Sequence, residues 1–397
     1  MTKTEKVILV LIVSLFILPA SVKIIPQFVN VKWPLPQSFR DDLVGVTIDE
    51  PRPSLSLHSW FTREFQDQFS KWFNQRYGAR SFFVRMGNQL NYSLFNKSYM
   101  NKEHTIIGRH GQLYEDDYIN DYCNPRGVMP LSHMETLVKE IAELQYLLAR
   151  NGVTFLLLIT PSKAAIYPEY IPSNLCHAGP SSKRGYSNFV LLLDTHHVNY
   201  VDGHVITEQA TQIEKAPLFC QGGSHWNYLG TYYTLRALID KLNGLLSRNA
   251  GMLDLEAVNV DHTPTGTDKD LAELLNLFFP PFDYVVPHPV ISKKGSTEDL
   301  GRLNIVGDSF TWIPIELFNA HKVFKQIDFF YYYKLALHSF PGQQSLPVDV
   351  AKIDWANTIL KSDVIILEVN ESDVTARYAS AFVSDALQYL HNVSPKS

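Results

Sequence analysis

The stretch VTFLLLITPSK, Val153 to Lys163, decides how the rest of the chain is read. Its first eight residues are apolar or β-branched without alternation and too few for a typical helix, which predicts a strand buried on both faces. Gly152 closes the helical pattern METLVKEIAELQYLLARNG just before it, and a polar Thr-Pro-Ser-Lys follows it. Outward from this point the same unit recurs. The runs VNYVD, RLNIVG, KQIDFFYYY and DVIILEVN read as strands, and YSNFVLLLDTHH, WIPIELFNAH, VAKIDWANTIL, RYASAFVSDALQYL and the residues after His225 read as helices. Apolar strands alternating with helices predict an α/β domain over residues 101–397, a parallel sheet covered by helices on both faces. TIIG and QLYE around Arg109-His110-Gly111 suggest a small hairpin ahead of it.

The residues before this domain divide in two. MTKTEKVILVLIVSLFILPASVK sets Lys3 and Lys6 ahead of an apolar run from Val7 to Val22, the layout of an export signal. Residues 1–25 are therefore expected to be a single signal anchor that leaves the rest of the chain outside the cytoplasm, with a cleaved signal peptide ending near LPAS as the alternative. Residues 26–100 read as a Pro-containing linker followed by amphipathic helices. In the first helix Phe61, Phe65, Phe69, Trp72 and Phe73 recur at helical spacing up to a stop at Gly78, and SFFVRMGNQLNYSLF continues as a second. Such an aromatic stripe reads as core against a neighbouring domain rather than as a cofactor box.

Composition narrows the function classes. Of 397 residues, 45% are hydrophobic and 19% charged, with Lys+Arg 35 against Asp+Glu 40 and a net charge of −5, which argues against disorder and against nucleic acid as a partner. The three cysteines show no CxxC pair or zinc spacing, and the His196-His197 pair has no carboxylate at ligand spacing, so neither a metal nor a cofactor is expected. In an oxidising compartment two cysteines are expected to pair. Cys176 with Cys220 is the expected bridge because both fall in loops of the central region, with Cys123 as a buried thiol.

Open α/β sheets do their chemistry at the carboxyl ends of their strands. Three polar clusters fall there: Thr160 to Lys163, Gly307 to Phe310, and Glu368 to Ser372. A strand ending in Gly307-Asp308-Ser309 and passing into a helix places Ser309 where free backbone N–H groups can hold an oxyanion, although an ordinary helix cap reads the same way. A nucleophilic serine needs a base. His225, behind the Gly-Gly-Ser turn of FCQGGSHWNYLG and beside Trp226, is the candidate, with packing as the alternative.

These motifs, with FNQRYGARSFFVR, IIGRHGQLYEDDYINDY, TPSKAAIYPEYIP and VIILEVNES, occur in one order, and from about Leu57 onward the chain resembles the SGNH-hydrolase-like O-acetyltransferases of exopolysaccharide systems, the alginate AlgJ/AlgX type. The resemblance implies Ser309 as nucleophile and His225 as catalytic base, with an acetyl group passing through acetyl-serine to a polysaccharide hydroxyl. It also implies a membrane-bound O-acyltransferase as acetyl source and a periplasmic domain held at the inner membrane. Asn370 is a candidate oxyanion donor, with a turn-forming Asn as the equal alternative. Ser162, Lys163 and Trp226, together with Thr160, are candidates for substrate contact, and Tyr332 or Tyr333 for sugar stacking.

In one place the chain departs from the family pattern Asp-x-His-Trp: the aspartate position is Gly223. Either another group orients His225, or the pair works as a slow dyad, or the protein has kept only a binding role. Asp308 is not expected to be the orienter. Deacetylation by the same Ser-His pair, and a non-catalytic polysaccharide scaffold, are the alternatives to transfer.

Overall fold

The computed structural model describes residues 2, 4–10, 13–14, 43–46, 50–76, 80–98, 105–123, 129–176, 181, 184–342 and 344–393. They form two compact units, one of residues 1–105 with 272–280 and the other of residues 106–271 with 281–397. Gly78, most of the linker and most of the expected anchor lie outside the described residues. Among the described residues no helix is long and apolar enough to cross a membrane.

The first unit is helical, with helices Leu57–Phe61, Glu64–Arg76 and Arg80–Phe95. Ser56 and Ser59 form a reciprocal capping box that starts the first of them. The i, i+4 spacing stacks Phe65 on Phe69 at 5.7 Å and Phe69 on Phe73 at 5.9 Å. Within this unit Phe69 and Phe73 are exposed, while Phe65 and Trp72 are half-buried. Segment 272–280 joins this unit through polar anchors that periodicity does not reveal. Asn88 donates to Leu275 O at 2.9 Å, and the Asn276 side chain both accepts from Val44 N and donates to Val44 O.

The second unit carries the sheet. Its strands are β1 (Thr105–Ile107, which begins at the unit boundary), β2 (Leu113–Glu115), β3 (Thr154–Thr160), β4 (Tyr200–Asp202), β5 (Met252–Asp261), β6 (Val286–Lys294), β7 (Arg302–Gly307), β8 (Gln326–Tyr331), β9 (Ala336–Phe340), β10 (Gln344–Pro347) and β11 (Val364–Asn370). The main sheet runs β10-β9-β8-β7-β11-β3-β4, while β1-β2 and β5-β6 are separate two-stranded sheets. From β8 to β4 every pair is parallel, as expected. The β9 and β10 edge is antiparallel, so the sheet is mixed. The reason is chain length: Tyr332 to Leu335 is too short to cross over and must turn back as a hairpin. VAKIDWANTIL also departs from expectation, forming a 3-10 turn, Val350–Lys352, and further turns instead of a helix.

The period of two in the strands divides the core. Phe155, Leu157, Ile159, Ile365, Leu367 and Val369 face the helices Leu131–Arg150, Gly185–Thr195 and Arg377–Val393. Leu156, Leu158, Ile305, Val364 and Ile366 face the helices Tyr228–Leu246 and Trp312–Ala320. Each such side chain, fully buried, contributes roughly 1.5–3 kcal/mol. That packing fixes where the strands end, and hence where the polar clusters sit.

The disulfide differs from expectation: Cys123 pairs with Cys176, with their Cα atoms 5.3 Å apart, and Cys220 is a buried free thiol. Ile119 and Tyr122, on the helix that ends at Cys123, pack with Ile171 and bring Cys123 beside the Cys176 loop. Cys220 instead lies inside the histidine loop, its thiol donating to Asp268 Oδ1 at 3.2 Å.

Candidate active site

Strand β7 ends at Gly307, and a 3-10 turn, Ser309–Thr311, leads directly into the helix Trp312–Ala320. Asp308 caps the turn by accepting from Phe310 N at 2.8 Å, which leaves Ser309 at its first position. On the face of the sheet packed by the helices Tyr228–Leu246 and Trp312–Ala320, the chain from Leu218 to Asn227 folds as a tight loop. Phe219 bridges Trp226, Asn227 N donates to Leu218 O, and Asn227 Oδ1 caps the helix Tyr228–Leu246. His225 therefore lies ahead of the cap rather than in the helix.

The two motifs meet. His225 Nε2 lies 2.8 Å from Ser309 Oγ, and His225 Nδ1 lies 2.5 Å from Asp270 Oδ2. Asp270 opens the helix Asp270–Leu274, and its other oxygen accepts from Ser224 N at 2.8 Å and Leu271 N at 2.7 Å. Serine, histidine and aspartate thus form one continuous hydrogen-bonded relay, with the carboxylate supplied 45 residues downstream of the histidine. The imidazole also rests on Phe310, with ring centroids 4.7 Å apart.

Gly223 is explained by the same loop. A Cβ at this position would lie 2.3 Å from Thr267 O and 3.1 Å from the Asp268 backbone. The loop that delivers Asp270 occupies the space a side chain at 223 would need. The family's usual aspartate position and this chain's Asp270 are therefore sterically exclusive.

The electrostatics follow from burial and neighbours. Burial by itself lowers the His225 imidazole, but the hydrogen bond and charge of Asp270, with Asp308 and Glu115 behind it, outweigh burial and raise it above its ordinary value. Burial raises Glu115, which the Ser224 hydroxyl bonds and partly offsets. Tyr332, left-handed at φ 46° at the end of β8, sets its phenol against the Ser309 side chain. Its neighbour Tyr333 is fully buried and donates to Asp385, which removes it as a stacking surface.

Several candidate contacts are occupied by structural work. Lys163 is fully buried, and its ammonium donates to the carbonyls of Cys220 at 2.7 Å, Gln221 at 2.9 Å and Gly223 at 2.9 Å. Burial pushes this amine down to about 7, with the Asp270 carboxylate partly offsetting it. It holds the histidine loop in shape and has no free face for a sugar. Ser162 is buried and caps the short helix Lys163–Ile166 through Ala165 N. Trp226 is buried and donates to Phe310 O at 3.2 Å, tying the histidine loop to the serine turn. Asn370 donates to Thr160 Oγ1 and Pro161 O and caps the turn after β11, so the turn reading of this residue fits and the oxyanion reading does not. Thr160 Oγ1 donates to Glu368 at 2.6 Å. Among the described residues no cluster of three or more His, Cys, Asp or Glu could hold a metal.

Residues 106–288 match the family described as "SGNH hydrolase-like domain, acetyltransferase AlgX". Over that span, just under half of the chain, the sequence is similar to this family. The matched span includes Lys163, His225 and Asp270 and ends before Ser309, which the fold brings to them. No curated protein matches the chain. Among solved structures it is similar to the O-acetyltransferase domain of Pseudomonas putida AlgJ, at 18% identity over 72% of this chain and 99% of that one, with a TM-score of 0.44. It is also similar to Pseudomonas aeruginosa AlgX, at 12% identity over 75% and 70% with a TM-score of 0.43, and to Bacillus cereus PatB1, at 11% over 64% and 95% with 0.40. Likeness at this level fixes neither substrate nor partner.

Proposed function

We propose that this protein is an O-acetyltransferase that moves an acetyl group onto hydroxyls of a polysaccharide outside the cytoplasm, by way of acetyl-Ser309. The observation that supports this reading is the Ser309–His225–Asp270 relay, in a chain similar over residues 106–288 to the AlgX-type domain. His225 Nε2 takes the Ser309 proton as Oγ attacks the acetyl carbonyl carbon, and returns it to the departing donor oxygen as the tetrahedral adduct collapses. A sugar hydroxyl then attacks the acetyl-serine, giving its proton to His225, and Ser309 leaves as the alcohol. Asp270 keeps Nδ1 protonated and supports the imidazolium. The Ser309 backbone N–H, at the start of its turn, is the proposed oxyanion donor; the Phe310 N–H is already bound to Asp308.

Acetyl-CoA is cytoplasmic, so a domain outside that compartment needs a membrane-bound O-acyltransferase to deliver acetyl groups. The lysine-flanked apolar run at the N-terminus would hold it at the inner membrane, in the periplasm.

The test incubates the protein with a chromogenic acetyl ester, with and without an oligosaccharide acceptor, and repeats it with S309A and H225A. Acetylated sugar that needs both residues is expected. Release of acetate alone would make the protein an esterase. Wild type as inert as both variants, with sugar still bound, would overturn catalysis in favour of a scaffold.

A further inference from the structure

Behind Ser309 lies a second acidic group that the relay does not use. Glu368, near the end of the central strand β11, is fully buried, and its carboxyl makes three hydrogen bonds to the nucleophile turn and its neighbours. Oε1 accepts from Thr160 Oγ1 at 2.6 Å, and Oε2 from Asp308 N at 2.9 Å and Thr311 Oγ1 at 3.3 Å. A Cβ on Gly307 would fall 2.7 Å from Oε2, so the glycine that precedes Asp308 is what lets the carboxyl reach the turn. The carboxyl spans three strand ends, β3, β7 and β11, and grips the turn on both sides of Ser309.

An isolated buried carboxylate costs several kcal/mol unless a cation or enough donors compensate it. The Glu368 side chain also meets the Asp308 side chain, and two carboxyls in contact cannot both be ionised at neutral pH. The groups that act on the pair are His225, Asp373, Tyr118, Tyr332 and Tyr378, and His225 is the one base among them. Burial raises both carboxyls, but Asp308 less, because it accepts from Phe310 N and has the His225 charge beside it, so Glu368 is the one of the pair that keeps the proton.

We propose that Glu368 is a positioning residue held as the neutral acid, donating its proton to Asp308 while its oxygens clamp the Ser309 turn, so that the pair's single negative charge stays on Asp308 beside His225. This rests on Ser309 and His225 acting as proposed above. Its consequence is a division of labour: Glu368 sets the place of Ser309 Oγ, and Asp308 helps to set the pH at which His225 becomes a base.

The test compares E368Q, E368A and D308N in the full chain by kcat and KM for a chromogenic acetyl ester across pH, and by infrared difference spectra against wild type at about pH 8. A glutamine amide can give and accept as the neutral acid does, so E368Q is expected to recover most of the kcat lost in E368A and to leave the acid limb in place. E368A should lower kcat about a hundredfold with KM little changed, since a small misplacement of a reacting group has effects of that size. D308N should move the acid limb to lower pH. A protonated-carboxyl band should be present in wild type and D308N and absent in E368Q. An acid limb displaced in E368Q as far as in D308N, or no such band in wild type, would overturn the proposal. If the ester is untouched by wild type, the acetyl-Ser309 reading fails, while the infrared band still decides the state of Glu368.

Discussion

Replacing Asp270 by asparagine keeps the size of the side chain and removes its charge. Two of its contacts survive, because an amide oxygen still accepts from Ser224 N and Leu271 N. What changes is the face toward His225, where the carboxylate lies 2.5 Å from Nδ1. An amide N–H pointed at Nδ1 selects the tautomer that carries its proton on Nε2, and that proton then faces Ser309 Oγ instead of receiving one. Loss of the correct tautomer in a triad of this kind lowers turnover about 10⁴-fold, or roughly 5.5 kcal/mol of transition-state stabilisation. KM should change little. The pH profile adds a second reading: Asp270 is the largest influence raising His225 against burial, so the acid limb of the residual activity should fall to lower pH. Linkage runs the other way for stability. A histidine raised in the folded state contributes stability that is complete below its unfolded pKa and disappears as pH rises through the folded value, and D270N should weaken that dependence, because Asp308 and Glu115 alone then oppose burial. Adding G223D to D270N should not restore activity, because a Cβ at 223 meets Thr267 O at 2.3 Å and the backbone there must move. The assay is kcat and kcat/KM against pH for D270N, D270A and G223D/D270N. Turnover of D270N within tenfold of wild type with an unmoved acid limb would refute the relay, and full rescue by G223D would refute the steric exclusion.

Two further outcomes follow from the supports of the site. K163M should lower stability by roughly 3–5 kcal/mol and abolish turnover, because the carbonyls of Cys220, Gln221 and Gly223 lose one common donor; denaturant midpoints checked beside activity measure both. C123S/C176S should cost about 4 kcal/mol by opening a loop of 53 residues, whereas C220S should leave the bridge intact, which peptide mass mapping without reduction checks.

The fold was legible wherever the core is two-sided. Val153 to Thr160 and Val364 to Asn370 are central strands with helices on both faces, and uninterrupted apolar runs announce that. It was not legible at the sheet edge, where β9 and β10 are half-exposed or exposed and their antiparallel course depends on a short turn, nor in β5 and β6, whose residues are largely open to solvent. In the site, Ser309 and His225 could be read because each follows a glycine turn at a strand or helix boundary. The supports could not. Ser162 and Lys163 just beyond β3, and Asn370 at the end of β11, are polar residues at strand ends, and sequence gives no sign of which of their hydrogen bonds point inward.

Asp270 shows most clearly where one-dimensional reading ends and what it still offers. Nothing in TGTDKDLAELL marks one of its acids as a triad member, since an aspartate at the start of a helix is ordinary capping chemistry. The signal was Gly223. A glycine in place of a functional carboxylate carries two messages, that the group is missing there and that a side chain is excluded there. The second points to something packed against that position. In this fold the packed object is the backbone of Thr267 and Asp268, and the aspartate two residues further along that loop is the one that reaches His225. The exclusion at 223 and the carboxylate at 270 are thus one structural event, and an aspartate at 223 and the Asp270 loop in its present place cannot coexist in one chain.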